Sequence, residues 1–277
     1  MVKITGLADE ISAEPGEQIA VLRSEGLRFL EFRGVWNENV LALATGKLTE
    51  FRRRLDDAGI GVSAIASPVG KVKIDTPFGP ELDRFKRSLD VAERMGAAYV
   101  RVFSYYPPEG GRIEEHRAEV LERMRQKVEA AQGRPVTIFC ENESDLYGMS
   151  PEHCREIIDY CGGRERLVQC FDPGNFVHRH FDPWQAWQVL GDVTGYFHIK
   201  DGSHRPQWHC TPAGEGEGRL REILADAIQN RKYDGFLSLE PHLSFAGKNQ
   251  GFSGPELFRQ ASRALKKILE EIGAGWE

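Results

Sequence analysis

Four polar residues end four successive apolar runs in the second half of the chain. They are Glu141 in TIFCENE, Asp172 in LVQCFDPGN, His198 in GYFHIKD and Glu240 in GFLSLEPH. A segment of helical periodicity separates each run from the next. Read as parallel strands, the runs bring all four side chains to one end of one sheet. Taken singly, a strand-end carboxylate is more often a loop cap or an arginine partner, and a lone histidine a satisfied polar residue. Taken together, three carboxylates buried in one place are strongly unfavourable without a compensating cation. Three oxygen-type ligands and one imidazole suit Mn²⁺, Mg²⁺, Co²⁺ or Zn²⁺. One divalent metal ion is therefore the expected cofactor, with no choice among the four, and the chain reads as a metal-dependent enzyme.

The elements that must position these residues alternate along the chain. Candidate strands cover 3–9, 29–35, 61–67, 99–103, 136–143, 167–173, 195–201 and 235–242. Candidate helices lie between and after them, at about 15–25, 48–58, 80–96, 113–132, 151–161, 184–190, 219–231 and 255–272. ELDRFKRSLDVAERMG has a 3.6-residue apolar period ending at Gly96, and Ser150-Pro151 gives an N-cap followed by proline at the first helical position. Many strands are apolar on both faces, as strands of a helix-covered parallel sheet must be. Eight strands and eight helices without a Pro/Ser linker predict a single (β/α)8 barrel over residues 1–277, with an open doubly wound sheet as the alternative. No GxGxxG follows the first strand, and GEGEG (214–218) reads as a loop entering the next helix rather than as a phosphate cradle.

Alternation along a strand decides which side chains share the barrel interior. Ser238 and His242 go with Glu240, Lys200 with His198, Glu143 with Glu141, and Cys170 with Asp172. Cys140 should face the helices.

Composition narrows the function. The 277 residues are 40% hydrophobic and 28% charged, with a net charge of −6. An acidic total argues against a nucleic-acid partner, because phosphate backbones favour basic surfaces. No apolar run approaches the roughly 20 residues of a membrane helix, and MVKITGLADEIS has no signal-peptide pattern. Five cysteines without CxxC clustering suggest a reduced, cytoplasmic protein.

The order Glu, Asp, His, Glu at the last four strands, with HIKD (198–201), TPAGEGEG (211–218) and LEPH (239–242), resembles the xylose isomerase-like barrels called sugar phosphate isomerases/epimerases. LADEIS, EFRGVW and ASPVGKV also look like a subgroup of that family. The resemblance covers nearly the whole chain. It implies that Glu141, Asp172, His198 and Glu240 bind the metal and that Glu141 and Glu240 flank the substrate and move its protons. The implied reaction is isomerisation or epimerisation of a sugar, a polyol ketone or a phosphate of either, by proton abstraction beside the carbonyl through a metal-stabilised cis-enediolate. A dehydratase on the same site is the alternative. An apurinic endonuclease of this barrel class is remote, because the inner ends of the third and fourth strands carry Ser67 and Arg101 or Phe103 in place of extra ligands.

Further residues are expected at the rim. Lys200 shares His198's parity, and a lysine beside a carboxylate cluster needs a partner there. His242 follows Glu240, and Arg205 and Glu215 lie on the loop after the seventh strand. Arg101 points inward, Glu31 and Arg33 share parity on the second strand, and Trp36 follows them as a candidate stacking surface. By the resemblance, a histidine soon after the metal aspartate contacts substrate; here Asn175 stands early and His178 later. Lys200, Arg205, His178, Glu215, His242, Arg101, Glu31 and Trp36 are thus the candidate substrate-binding residues. Lys71 and Lys73 follow ASPVG and read as solvated lysines, with the holding of an anionic group as the alternative. The Gly-rich AGKNQGFSGPE (246–256) fits the rim or a subunit interface of a homo-oligomer, and the sequence favours neither.

Overall fold

The computed structural model describes residues 1–244 and 253–277. Most of AGKNQGFSGPE lies outside the described residues. The barrel strands are β1 (Lys3–Gly6), β2 (Phe29–Phe32), β3 (Gly61–Ile65), β4 (Tyr99–Val102), β5 (Thr137–Glu141), β6 (Leu167–Phe171), β7 (Thr194–Ile199) and β8 (Phe236–Leu239). They form one parallel sheet in the order β1-β8-β7-β6-β5-β4-β3-β2. A parallel bridge between Leu7 and Glu31 joins β1 to β2 and completes the ring.

Around it run α1 (Pro15–Ser24), α2 (Thr45–Ala58), α3 (Phe78–Met95), α4 (Arg117–Ala130), α5 (Pro151–Tyr160), α6 (Pro173–His178), α7 (Pro183–Leu190), α8 (Leu220–Ala225) and α9 (Gly254–Glu271). In α9, Phe258, Ala261, Ser262, Leu265, Ile268 and Leu269 make one buried stripe, the spacing of an amphipathic helix laid on a sheet. α3 ends where Gly96 turns left-handed at φ 65°, a conformation glycine adopts without steric cost. The Ser150 hydroxyl accepts from the His153 amide, with Pro151 in the first turn of α5. No described helix is long and apolar enough to cross a membrane.

The structure departs from the sequence reading in five places. The expected helix over 113–132 is a 3₁₀ turn at Ile113–His116 followed by α4, and the one over 219–231 is α8 followed by a π turn at Asp226–Asn230. α6 begins directly after Asp172, whose side chain caps it by accepting from the Asn175 amide at 2.9 Å, with Pro173 in its first turn. Two short hairpins, Gly34–Val35 with Glu38–Asn39 and Asp201–Ser203 with His209–Thr211, leave the ends of β2 and β7.

Two cores result. The larger lies between strands and helices and includes Cys140 and Phe197. The smaller fills the barrel interior with Ala64, Phe139, Val168, Cys170, Tyr196 and Phe236. Phe139 and Tyr196 stack there at 4.5 Å. Burial pushes the Cys170 thiol up to about 12, so it is a packing group with no thiolate character. Through this apolar plug runs a polar column from Thr5 to Ser63 (3.0 Å), Ser63 to the Tyr196 hydroxyl (3.0 Å), and Tyr196 to Glu31 (3.1 Å). It leads upward to the C-terminal mouth of the barrel, where the candidate site lies.

Candidate metal centre

At that mouth Glu141, Asp172, His198 and Glu240 are all buried, and one ligand atom from each lies within 4.8 Å of the others. Among the described residues this is the one group of three or more His, Cys, Asp or Glu side chains so arranged. The strands deliver them directly: Glu141 ends β5, Asp172 follows β6, His198 sits near the end of β7, and Glu240 follows β8.

The donor geometry fits a cation. Glu31 takes the Nε2 of His198, with both oxygens at 3.1–3.2 Å. Nε2 is therefore the protonated nitrogen, and the Nδ1 lone pair faces the cluster, an arrangement that fixes the tautomer of a metal-ligating histidine. Nδ1 lies 2.9 Å from Glu240 Oε2 and 3.2 Å from Glu141 Oε1, yet it has no hydrogen-bond partner. Asp172 uses Oδ1 to cap α6. Its Oδ2 lies 2.7 Å from Lys200 Nζ, also without hydrogen-bond alignment. The four ligand atoms lie close enough together for one ion to be shared among them.

Each glutamate is split between two duties. Glu141 keeps Oε1 in the cluster and gives Oε2 to Arg101 at 2.9 Å. Glu240 keeps Oε2 in the cluster and gives Oε1 to Arg33 at 3.2 Å. Arg101 is further fixed by the carbonyls of Ser67 and Ala66. Arg33 forks across Asp9 (2.7 Å) and Glu10 (3.1 Å) as well.

The charges follow. Burial pushes Glu141 up, but His198 and Arg101 outweigh it and hold the carboxyl at about 2. Burial lifts Asp172 to about 6 against the pull of Lys200. Burial pulls the His198 imidazole down, but the carboxylates of Glu141, Glu31 and Glu240 hold it well above its usual range. In the absence of a cation the cluster holds on to protons, which a bound metal displaces.

An open cavity of about 290 Å³ lies above the cluster, lined by Asp9, Arg33, Lys71, Arg101, Phe103, Glu143, Glu240 and His242 among others. Glu240 reaches it, whereas Glu141 lies behind. The other sequence candidates divide. Lys200 bridges Asp172 (2.7 Å) and Glu240 (3.3 Å), its stem packed on Gly174. His242 donates or accepts at Glu10 (2.7 Å) through Nδ1, with Nε2 3.6 Å from Glu240. Arg101 lines the cavity but is committed to Glu141.

Four candidates stand away from the cavity lining, and a fifth, Glu31, lies beneath it. Glu31 is fully buried under His198, bonded also to Tyr196 and Ser238 (2.6 Å), with no oxygen left for substrate. Trp36 turns outward onto Phe51, beneath the cations of Lys47 and Arg54. His178 stacks on Trp208 at 4.6 Å and bonds Ser144. Arg205 is 89% exposed and pairs with Glu217, and Glu215 is exposed. Glu31 and Arg33, which share parity on the second strand, do not pair: Glu31 meets His198, and Arg33 meets Asp9, Glu10 and Glu240. Asp201 takes four backbone amides, those of Gly202, Gly214, Gly216 and Gly218, and so fastens GEGEG. The sequence reading missed Asp9, Glu10 and Asn142. Asn142 bonds the Asp172 backbone through both ends of its amide (2.8 and 2.9 Å). The signal for Asp9 was its place just past the first strand, where barrel sites are built.

The chain matches the profile of the xylose isomerase-like TIM barrel family over residues 19–268 and belongs to that family. A xylose isomerase-like TIM barrel protein from Mycobacterium smegmatis, solved in complex with magnesium, superposes with TM-score 0.74 at 20% identity, over 99% of this chain and 97% of its own. A D-tagatose 3-epimerase-like protein does so at 0.78 and 16%, over 98% of each chain. An L-ribulose 3-epimerase gives 0.74 and 16%, over 99% and 96%. At these identities the likeness is one of fold. No curated protein sequence matches significantly.

Proposed function

We propose that this chain is a divalent-metal-dependent isomerase or epimerase acting at a carbon beside the carbonyl of a sugar-like substrate. The observation that carries the reading is the split of both glutamates: each holds one oxygen in the cluster and has the other fixed by an arginine. Glu141, Asp172, His198 and Glu240 would hold the ion, which when bound supplies Lewis acidity toward neighbouring carbonyl and hydroxyl oxygens. The structural likeness to an L-ribulose 3-epimerase, to a D-tagatose 3-epimerase-like protein and to a protein solved with magnesium supports the same reading.

Glu240 faces the cavity and is the carboxylate placed to remove the C–H proton. The C–H electron pair moves into the carbon–carbon bond and the carbonyl π pair onto oxygen, giving an enediolate. Lys200 and Arg33 keep positive charge beside Glu240 throughout. Return of a proton to the opposite face of the same carbon inverts it, delivered by Glu141 after that carboxylate has taken one up from solvent, while Glu240 gives its own proton back to solvent. Return to the neighbouring carbon moves the carbonyl. His242 gives a second reading some support: lining the cavity 3.6 Å from Glu240, it is placed to protonate a leaving β-hydroxyl, which would make the enzyme a dehydratase.

The test is proton exchange. Metal-stripped protein is reloaded with Mn²⁺ and incubated in D₂O with ketoses, inososes and their phosphates under proton NMR. Deuterium beside the carbonyl with all oxygens retained is the expected result, and a vinyl or dicarbonyl product makes the dehydratase reading correct. No exchange across the panel with metal bound refutes both.

A further inference from the structure

We propose that the cavity takes an uncharged polyhydroxy ketone and excludes its phosphate ester. This rests on the function proposed above and narrows its substrate.

A phosphate ester carries a charge of about −1.5 to −2 near neutral pH and needs free cations or free backbone amides. Among the described residues the cavity offers neither. Three cations line it, and each is already bound to carboxylate. Arg33 forks over Asp9, Glu10 and Glu240. Arg101 is held by Glu141 and two carbonyls. Lys71 meets Glu143 at 2.6 Å and rests 4.4 Å from the centre of the Phe103 ring. Four carboxylates line the same cavity, Asp9, Glu38, Glu143 and Glu240, so the wall itself is not cationic.

The second observation is independent of the first. The loops after the seventh and eighth barrel strands are where barrels of this kind often bind phosphate, and the first of them is glycine-rich here. Its amides converge on an anion that the chain supplies itself: Asp201 accepts from Gly202, Gly214 and Gly218 at 2.8 Å and from Gly216 at 3.1 Å. The fit is close enough that a Cβ on Gly216 would lie 2.3 Å from Asp201 Oδ1. A phosphate has no place in that cradle.

The cavity wall also holds a carboxylate oxygen that lacks a donor. Asp9 gives Oδ2 to Arg33, while its buried Oδ1 has no partner. An unpaired carboxylate oxygen is satisfied by a hydroxyl donor and repels a phosphate oxygen. Asp9 is thus a specificity-determining residue for a substrate hydroxyl.

The test pairs each ketose with its own ester. D-tagatose and L-ribulose, and the 6-phosphate and 5-phosphate respectively, are incubated with Mn²⁺-loaded protein in D₂O, and initial exchange rates at equal concentration are compared. The expected result is exchange at least tenfold faster for a neutral ketose than for its ester. Glu143→Gln, which releases Lys71, should narrow that ratio several-fold by raising the ester rate. Esters that exchange as fast as or faster than the ketoses overturn this inference and leave the proposed function standing. A ratio unmoved by Glu143→Gln overturns the exclusion assigned to the Lys71–Glu143 pair. No exchange with these pairs or with the rest of the ketose, inosose and phosphate panel, metal bound, overturns the proposed function and this inference with it.

Discussion

Glu31→Gln probes the metal centre without touching a ligand. Glu31 is fully buried and receives His198 Nε2 (3.1–3.2 Å), the Tyr196 hydroxyl (3.1 Å) and the Ser238 hydroxyl (2.6 Å). Glutamine keeps the shape but removes the charge that makes Nε2 the protonated nitrogen and leaves Nδ1 as a lone pair toward Glu141 and Glu240. Loss of a charge-assisted hydrogen bond costs about 1.5–3 kcal/mol. Loss of an outer partner of a ligating histidine typically costs about 10–100-fold in metal affinity, or about 1.4–2.7 kcal/mol. The two routes agree, so Mn²⁺ should bind about 10–100-fold more weakly, at unchanged stoichiometry. Stability gained from the metal follows RT ln(1 + [L]/Kd); a saturating concentration worth about 4.1 kcal/mol in the wild type would be worth about 1.4–2.7 kcal/mol in the variant. The metal-free fold should lose less, because a buried carboxylate is removed from a carboxylate-rich cluster. Calorimetric titration of EDTA-stripped protein with Mn²⁺, and melts with and without the ion, give both quantities. Ser238→Ala, which removes one donor and leaves the histidine contact, is the control and should retain near wild-type affinity. A Glu31→Gln protein that binds Mn²⁺ as tightly as the wild type refutes the argument that Glu31 sets the His198 tautomer.

Other residues give sharper local tests. Gly174→Ala places a Cβ 2.7 Å from Lys200 Cγ and 3.0 Å from its carbonyl oxygen; overpacking of this kind costs about 1–3 kcal/mol, and thermal melts should show it together with weaker Mn²⁺ binding. Asp201→Asn leaves buried amides of the GEGEG loop short of acceptors at about 1–3 kcal/mol, so limited proteolysis should cut within 204–218 sooner than in the wild type. Asp226 lies on the π turn after α8. Burial pushes its carboxyl up, but Asn230, Arg231 and Trp187 outweigh that and hold it at about 2. With the folded value below the unfolded one near 3.9, its contribution is fully present above about pH 4 and disappears as pH falls through about 2. Urea melts of Asp226→Asn and wild type should differ at pH 7 and converge near pH 2.

The fold was legible because its signals are periodic. Parity along GYFHIKD puts His198 and Lys200 on one side and Phe197 and Ile199 on the other, and the structure has the first pair in the barrel mouth and the second in the helix-facing core. α6 was not recovered, although Asp172-Pro173 is a helix-start pair of the same kind as Ser150-Pro151, because the run LVQCFDP continues the strand pattern up to that point and the helix is only six residues long. The hairpins after β2 and β7 lack any repeat for a pattern to detect. The site was legible down to the level of the strand and no further. Strand ends determine which residues meet, so Glu141, Asp172, His198 and Glu240 could be brought together by counting. Which oxygen of each faces the cluster depends on contacts between residues far apart in the chain: Arg33 to Glu240 spans 207 positions and Arg101 to Glu141 spans 40. Rim candidates on loops fared differently from those on strands for the same reason. Lys200, the residue directly after β7, meets two of the four clustered residues, whereas Arg205, two residues beyond Ser203 where the hairpin strand ends, is free of the pleat and points to solvent. In a barrel, parity is information along the hydrogen-bonded ladder and at the residue directly after it, as at Asp172, Lys200 and Glu240, and a candidate farther out needs the loop's own geometry to be placed.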